Sequence, residues 1–254
     1  VPKAFADCLR IDKENGNTWW QDAVCKEMAK VRIAFQVIGN NENPPPTYQE
    51  IQCHLIYDVK MENFQRKAWF VAGGHTTEMP DSITYASVVS RESVRIALTL
   101  AALNDLEVKT TDIENAYLTA PVGEKICCRL GPEFGREAGK KALIVCSQFV
   151  LKSAGALFCN RLADCMRHLG WSSCIADPDV LLKPEIRPED GHKYYAYCPL
   201  YVDDILVVHL DGLRSLVEID YFFKTKEGSM RNPEFYLGLN FDRQPSRMVY
   251  KLGQ

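Results

Sequence analysis

Hydrophobic and polar residues recur along this chain with periods that change several times, and each change marks an element. Trp20, Ala23, Val24 and Met28 fall at helical spacing and predict a helix from about residue 18 to 31, with Thr18 as N-cap. Residues 40–47, with Pro44-Pro45-Pro46, cannot continue that helix and predict a surface loop. Alternation across residues 51–57 and 67–72 predicts two strands joined through residues 60–63, the second ended by Gly73-Gly74. Residues 90–104 form the clearest helical pattern, with Val94, Ala97, Leu98 and Ala101 on one face and Ser90 as N-cap. A strand over residues 106–112 ends on Asp112, and residues 115–118 predict a turn or short helix. Residues 127–130 and 142–150 predict strands around a loop rich in Gly and charge. A second amphipathic helix spans 155–169, with Leu162, Met166 and Leu169 inward and Gly170 at C′. A strand near residues 180–182 leads into a polar loop over 184–192, and residues 213–223 predict a third helix. A last hairpin is predicted from residues 235–241 and 248–250.

One stretch breaks the rule that charges avoid apolar runs. Leu200-Tyr201-Val202-Asp203-Asp204-Ile205-Leu206-Val207-Val208 places two carboxylates between runs that read as buried strands, which puts them at a hairpin tip. Adjacent carboxylates repel, and each raises the other's pKa unless a cation neutralises them. Hard divalent cations with oxygen ligands do this, and paired ions drive in-line phosphoryl displacement. An acidic turn without chemistry has the same four letters. The predicted order is strand–Asp112–helix, helix, strand–Asp203-Asp204–strand, helix; an antiparallel sheet with helices on one face would bring Asp112 beside Asp203.

Composition changes this picture little. The 254 residues suffice for one large domain or two small ones, and 46% hydrophobic with 25% charged residues is ordinary for a globular protein. No apolar run approaches the ~20 residues of a membrane span, and no secretory signal opens the chain. A net charge of −3 argues mildly against a nucleic-acid grip, although an acidic metal site lowers the total without preventing a basic groove elsewhere. Ten cysteines without Cys-x-x-Cys spacing read as reduced, mostly buried thiols. The start at Val1 and the ending on Lys251-Leu252-Gly253-Gln254 suggest a piece of a longer polypeptide.

Tyr201-Val202-Asp203-Asp204 resembles the signature of reverse transcriptases, and Thr111-Asp112-Ile113-Glu114-Asn115-Ala116-Tyr117-Leu118 resembles their first catalytic motif. The long-range pattern is similar to copia-type LTR retrotransposon Pol polyproteins. It includes Trp20 to Met28, Lys67-Ala68-Trp69-Phe70-Val71-Ala72-Gly73-Gly74, Val88-Val89-Ser90-Arg91 with Arg95, Leu151-Lys152-Ser153, Ala176-Asp177-Pro178 and Tyr236-Leu237-Gly238. Four letters are weak alone; these motifs in order, from about Asp7 onward, are specific.

The resemblance implies an α+β fold: a right-hand polymerase palm, an antiparallel sheet with helices on one face, plus fingers, with the thumb missing. Residues 1–105 and 131–152 would be fingers-rich, and 106–130 and 153–254 palm-rich. It implies an RNA-directed DNA polymerase that adds dNTPs to a primer 3′-hydroxyl on an RNA or DNA template. Asp112, Asp203 and Asp204, with the Ile113 carbonyl, would hold two Mg²⁺ ions, or Mn²⁺. Lys67, Ala116, Tyr117 and Lys152 would contact the nucleotide, Tyr117 by stacking under the deoxyribose and excluding a 2′-hydroxyl. The thumb, RNase H and integrase regions of Pol would be further partners, and the setting would be intracellular: cytoplasmic particles with later nuclear steps.

Three positions depart from the family pattern. Trp69 stands where an Arg is usual, Val150 replaces a Gly in Phe149-Val150-Leu151-Lys152, and Pro199 precedes Leu200-Tyr201 inside a predicted central strand. An inactive relic, or a binding module on the same fold, is therefore the alternative to an active polymerase. A different palm-fold nucleotidyl enzyme, such as a cyclase, is a third.

Overall fold

A computed structural model describes residues 1–39, 42–61, 63–77, 84, 86–149 and 151–241. Val150 and the predicted strand at residues 248–250 lie outside the described residues. In chain order the helices are α1 (Phe5–Asn15), α2 (Trp19–Val31), α3 (Arg91–Leu103), α4 (Ala154–His168) and α5 (Gly212–Asp220). The strands are β1 (Phe35–Val37), β2 (Gln49–Ile51), β3 (Cys53–Val59), β4 (Arg66–Ala72), β5 (Glu107–Asp112), β6 (Ile126–Arg129) and β7 (Lys141–Ile144). They continue with β8 (Ser172–Ser173), β9 (Val180–Ile186), β10 (Lys193–Tyr201), β11 (Asp204–His209), β12 (Phe235–Tyr236) and β13 (Leu239–Asn240). The fold is mixed α+β.

Two compact units share the chain: residues 1–85 with 117–158, and residues 86–116 with 159–254. Helix α3 packs on β5, β10 and β11 of the second unit, whereas β6 at residues 126–129 completes a sheet of the first.

In the first unit β1, β7, β6 and β2 form a four-stranded sheet in that order, and β3 and β4 form a separate antiparallel hairpin. Phe35, Phe70 and Phe134 meet edge to face, with ring centroids 5.6, 5.2 and 5.4 Å apart, and anchor its core. Helix α1, which the polar run of residues 5–15 did not suggest, is closed by Gly16 in the left-handed region at φ 64°. It carries Asp12, fully buried, whose carboxylate accepts the backbone N–H groups of Trp20 at 3.2 Å and Gln21 at 2.9 Å. Asp12 thus caps α2. The predicted cap, Thr18, instead donates its hydroxyl to Asp22 at 2.9 Å. An Asp12→Ala chain is expected to lose about 2 kcal/mol of stability in urea unfolding, because two orphan N–H donors are left at a helix start. A loss under ~0.5 kcal/mol would mean that water replaces the carboxylate.

In the second unit β5-β11-β10-β9-β8 form an antiparallel sheet. Leu206 and Val208 of β11 pack with Val94, Ala97, Leu98 and Ala101 of α3, while Ile205 and Val207, pointing the opposite way, are equally inaccessible. Side chains on both faces of β11 are therefore inaccessible. That is what the unbroken apolar run from Ile205 to Val208 requires. Ser90 caps α3 by accepting the Ser93 N–H at 3.1 Å, as its sequence predicts. Asp177 reinforces this start by accepting from the Ser90 N–H and the Ser93 hydroxyl, which gives the Ala176-Asp177-Pro178 motif a structural role.

Pro199 is accommodated within β10. Its pairing with Val180 of β9 is kept, while the ladder to β11 registers Tyr197 with Val208 and resumes only at Leu200 with Ile205. The break falls where proline lacks its donor. Strand β9 runs on through Pro184 to Ile186 in place of the expected loop, because β10 is long enough to pair with it back to Lys193. Strand β7 ends at Ile144, earlier than predicted, and Val145 instead gives its N–H to Ala34. The final hairpin turns at Leu237 and Gly238, both at positive φ (47° and 81°), so residues 235–241 hold both strands in place of one. Among the described residues no helix is long and apolar enough to cross a membrane.

Candidate active site

Strand pairing in the second unit sets Asp112, the last residue of β5, directly opposite Asp204, the first of β11. Tyr201 pairs with Asp204 across the hairpin, leaving Val202 and Asp203 as its two turn residues. Val202 has φ 55°, whereas Asp203 is not among the residues of positive φ. Positive φ at the first turn residue alone is the demand of a type II′ turn, which Gly normally meets. A β-branched residue there holds a strained backbone. The turn is anchored from β5 by the Ile113 N–H, which donates to the Asp203 carbonyl at 3.0 Å. From below, the Tyr236 hydroxyl donates to the Asp204 and Pro199 carbonyls, each at 3.3 Å.

The three carboxylates feel one another. Burial and the Asp203 and Asp112 charges push Asp204 up to about 6, and burial with the Asp112 charge raises Asp203. Lys226 opposes both shifts; its ammonium donates to Asp112 Oδ2, and its backbone N–H donates to the Asp112 carbonyl at 2.9 Å. The neighbouring segment follows β5, with the Glu114 N–H on the Lys224 carbonyl and Arg231 exchanging bonds with Thr110. Asp112 Oδ1 is buried without a hydrogen-bond partner, a costly state for a carboxylate oxygen.

This donor set suits a hard cation: clustered oxygen ligands, one of them an orphaned buried oxygen, with the ionisation of Asp203 and Asp204 opposed first by burial and then by neighbouring carboxylate charge. As they stand, however, no three His, Cys, Asp or Glu side chains among the described residues form a group that could hold a metal. Lys226 occupies one Asp112 oxygen, Oδ2, and leaves Oδ1 without a partner. The raised Asp204 pKa has a consequence without metal. Its folded form holds a proton more tightly than the unfolded chain, whose Asp titrates near ~3.9, so its contribution to stability falls as pH rises from about 4 to about 6 and is level above. The thermal midpoint of metal-free Asp204→Asn, relative to the parent, is therefore expected to rise across that window and then plateau. A pH-independent difference would place the Asp204 pKa at its ordinary value.

The remaining expected site residues divide between the units. Ile113 and Ala116 are buried in the second. Lys67, Tyr117 and Lys152 belong to the first. Lys67 lies on β4 opposite Asp58 and lowers the pKa of the nearby Glu27, which burial raises. Tyr117 packs edge-on against Phe149 at 4.8 Å and Phe158 at 6.1 Å. The Lys152 ammonium donates to the Thr77 carbonyl. Trp69 sits on β4 opposite Ile56, half-buried, with no guanidinium in its place. Sequence reasoning missed Lys226 and Ser229, whose hydroxyl meets Thr111 at 2.8 Å. Neither carries a local signal, since both reach β5 from more than a hundred residues away.

Comparison with known proteins agrees with the motif pattern. The profile of a family described as Reverse transcriptase (RNA-dependent DNA polymerase) matches residues 36–253. The chain is 32% identical over 178 residues, 66% of its length, to the retrovirus-related Pol polyprotein from transposon TNT 1-94 of Nicotiana tabacum. It is 23% identical over 257 aligned positions, 96% of its length, to the corresponding polyprotein from transposon RE2 of Arabidopsis thaliana. It spans only 13% and 16% of those polyproteins.

Proposed function

Because the chain belongs to the reverse transcriptase (RNA-dependent DNA polymerase) family, we propose that it is the polymerase core of a copia-type retrotransposon Pol polyprotein. On this reading it extends a primer 3′-hydroxyl with dNTPs on an RNA or DNA template. The observation that carries the proposal is the pairing of Asp112 with Asp204, which joins carboxylates from distant motifs into one electrostatically coupled group.

Asp112, Asp203 and Asp204, with the Ile113 carbonyl, are the groups that would hold two Mg²⁺ ions. When bound, such ions lower the pKa of an attacking hydroxyl and neutralise a triphosphate. The protein's own part is to fix the carboxylates. Val202 presents Asp203 on a strained turn, Tyr236 holds the Asp204 carbonyl, and the Lys226 ammonium neutralises Asp112 through Oδ2. The roles of Lys67, Ala116, Tyr117 and Lys152 toward the nucleotide follow from the family resemblance. On that basis Tyr117→Val is expected to raise ribonucleotide use relative to deoxynucleotide use by at least about tenfold, read from paired kcat/KM values. An unchanged ratio would remove Tyr117 from sugar selection.

Primer extension on an RNA template, with Mg²⁺ and separately Mn²⁺, tests the proposal. Metal-dependent extension that an Asp203→Asn, Asp204→Asn chain lacks supports it. A folded chain that neither extends primers nor gains thermal stability from either ion would be an inactive relic. The Lys226–Asp112 contact favours that second reading.

A further inference from the structure

In the first unit, Asn15, Asn17, Trp19, Trp20 and Arg66 line a cavity of about 320 Å³. That is the small end of ligand pockets, room for one planar group rather than a whole nucleoside triphosphate. Its floor is Trp20, almost fully buried and held edge-on against Tyr57 at 5.7 Å. Its wall is Trp19, 57% exposed although it is a large aromatic at the first turn of α2. The Arg66 guanidinium lies over both rings, 5.1 Å from the Trp19 centroid and 5.7 Å from that of Trp20. One Arg66 Nη donates to the Phe64 carbonyl, so the guanidinium plane is set before any ligand arrives. Asn17 commits its side-chain oxygen to the Trp19 N–H at 3.3 Å, which leaves its NH₂ as the group it can offer. The adjacent β3–β4 turn adds exposed Met61 and Phe64.

We propose that this cavity is a stacking site for an unpaired nucleobase of single-stranded nucleic acid. The guanidinium already covers part of the indole pair, and the surface of Trp19 that stays exposed is the π-face on which a base stacks whatever its sequence. Asn15 and Asn17 put amide donors and acceptors at the rim, as base edges require. The fixed Arg66 charge repels the cationic ligands that aromatic cages otherwise take. A single cation is also a poor site for a free phosphate, which needs several donors. The identification of the strand as unpaired template rests on the polymerase reading; base stacking itself does not.

The test is fluorescence anisotropy of labelled single-stranded RNA and DNA 20-mers, without metal or dNTP, and of an abasic strand of the same length. The 254-residue chain is compared with its Trp19→Ala and Trp19→Phe variants at a temperature where all three are folded. Both natural strands are expected to bind, with Trp19→Ala weakening binding about tenfold and Trp19→Phe by about threefold or less. The abasic strand is expected to bind more weakly, without dependence on Trp19. Single-strand affinity unchanged in Trp19→Ala, equal Trp19 dependence for the abasic strand, or no binding by the parent chain would each overturn the inference. A chain that extends primers but shows no Trp19 dependence sinks the stacking site alone. Trp19-dependent binding without extension sinks the polymerase reading alone.

Discussion

Asp203→Asn is expected to reduce primer extension by at least about a thousandfold while leaving the thermal midpoint unchanged or slightly higher. The activity loss follows from the proposed chemistry: removing one ligand of a two-ion site forfeits several kcal/mol of transition-state stabilisation, and each ~1.4 kcal/mol is tenfold. The stability side follows from the site itself. Asp203 is raised by burial and by the Asp112 charge, so the isosteric amide removes a repulsion rather than an attraction. The backbone bond that holds the turn, Ile113 N–H to the Asp203 carbonyl, does not involve the side chain. Extension and thermal unfolding, measured on the same preparation, check both halves. Surviving extension would remove Asp203 from the metal ligands. Lost extension accompanied by a fall of several degrees in midpoint would mean that the carboxylate is structural, and the chemistry would need other support.

Phe134→Ala is expected to cost about 3–5 kcal/mol, the range for emptying a buried aromatic position. Phe134 is almost fully inaccessible and lies edge-on to both Phe35 and Phe70. Its loss empties a space shared by β1, β4 and the loop over Pro132–Glu137, none of which can collapse without moving a sheet. Arg32 also reaches this loop, donating to the Phe134 carbonyl at 2.8 Å and pairing with Glu137 at 3.0 Å, so the carbonyl's position is fixed from outside. Urea unfolding gives the number, and Phe134→Leu should recover more than half of it. A loss below ~1.5 kcal/mol for Phe134→Ala would show that the core relaxes around the gap.

Much of the second unit was legible because its elements announce themselves locally. Ser90 before an amphipathic face, short apolar runs on either side of Asp203-Asp204, and Gly170 after a helical run each satisfy a short-range rule. Elements whose reason lies elsewhere were not legible. Helix α1 and its capping Asp12 are explained only by the N-terminus of α2, and the length of β9 only by β10. Pro199 was read as a defect since sequence shows the missing donor but not the interruption in the ladder that absorbs it.

By itself the sequence determined the chemistry available: three carboxylates in two motifs, carried at strand ends by patterns of apolar residues. Their order along the chain also determined the family. Only the tertiary structure decided their electrostatic state. The β5–β11 register puts Asp112 against Asp204, and the Lys226 ammonium, 114 positions away, neutralises Asp112 and leaves its second oxygen unpaired. Charge interactions depend on distance through space and on burial, and neither is encoded in spacing along the chain.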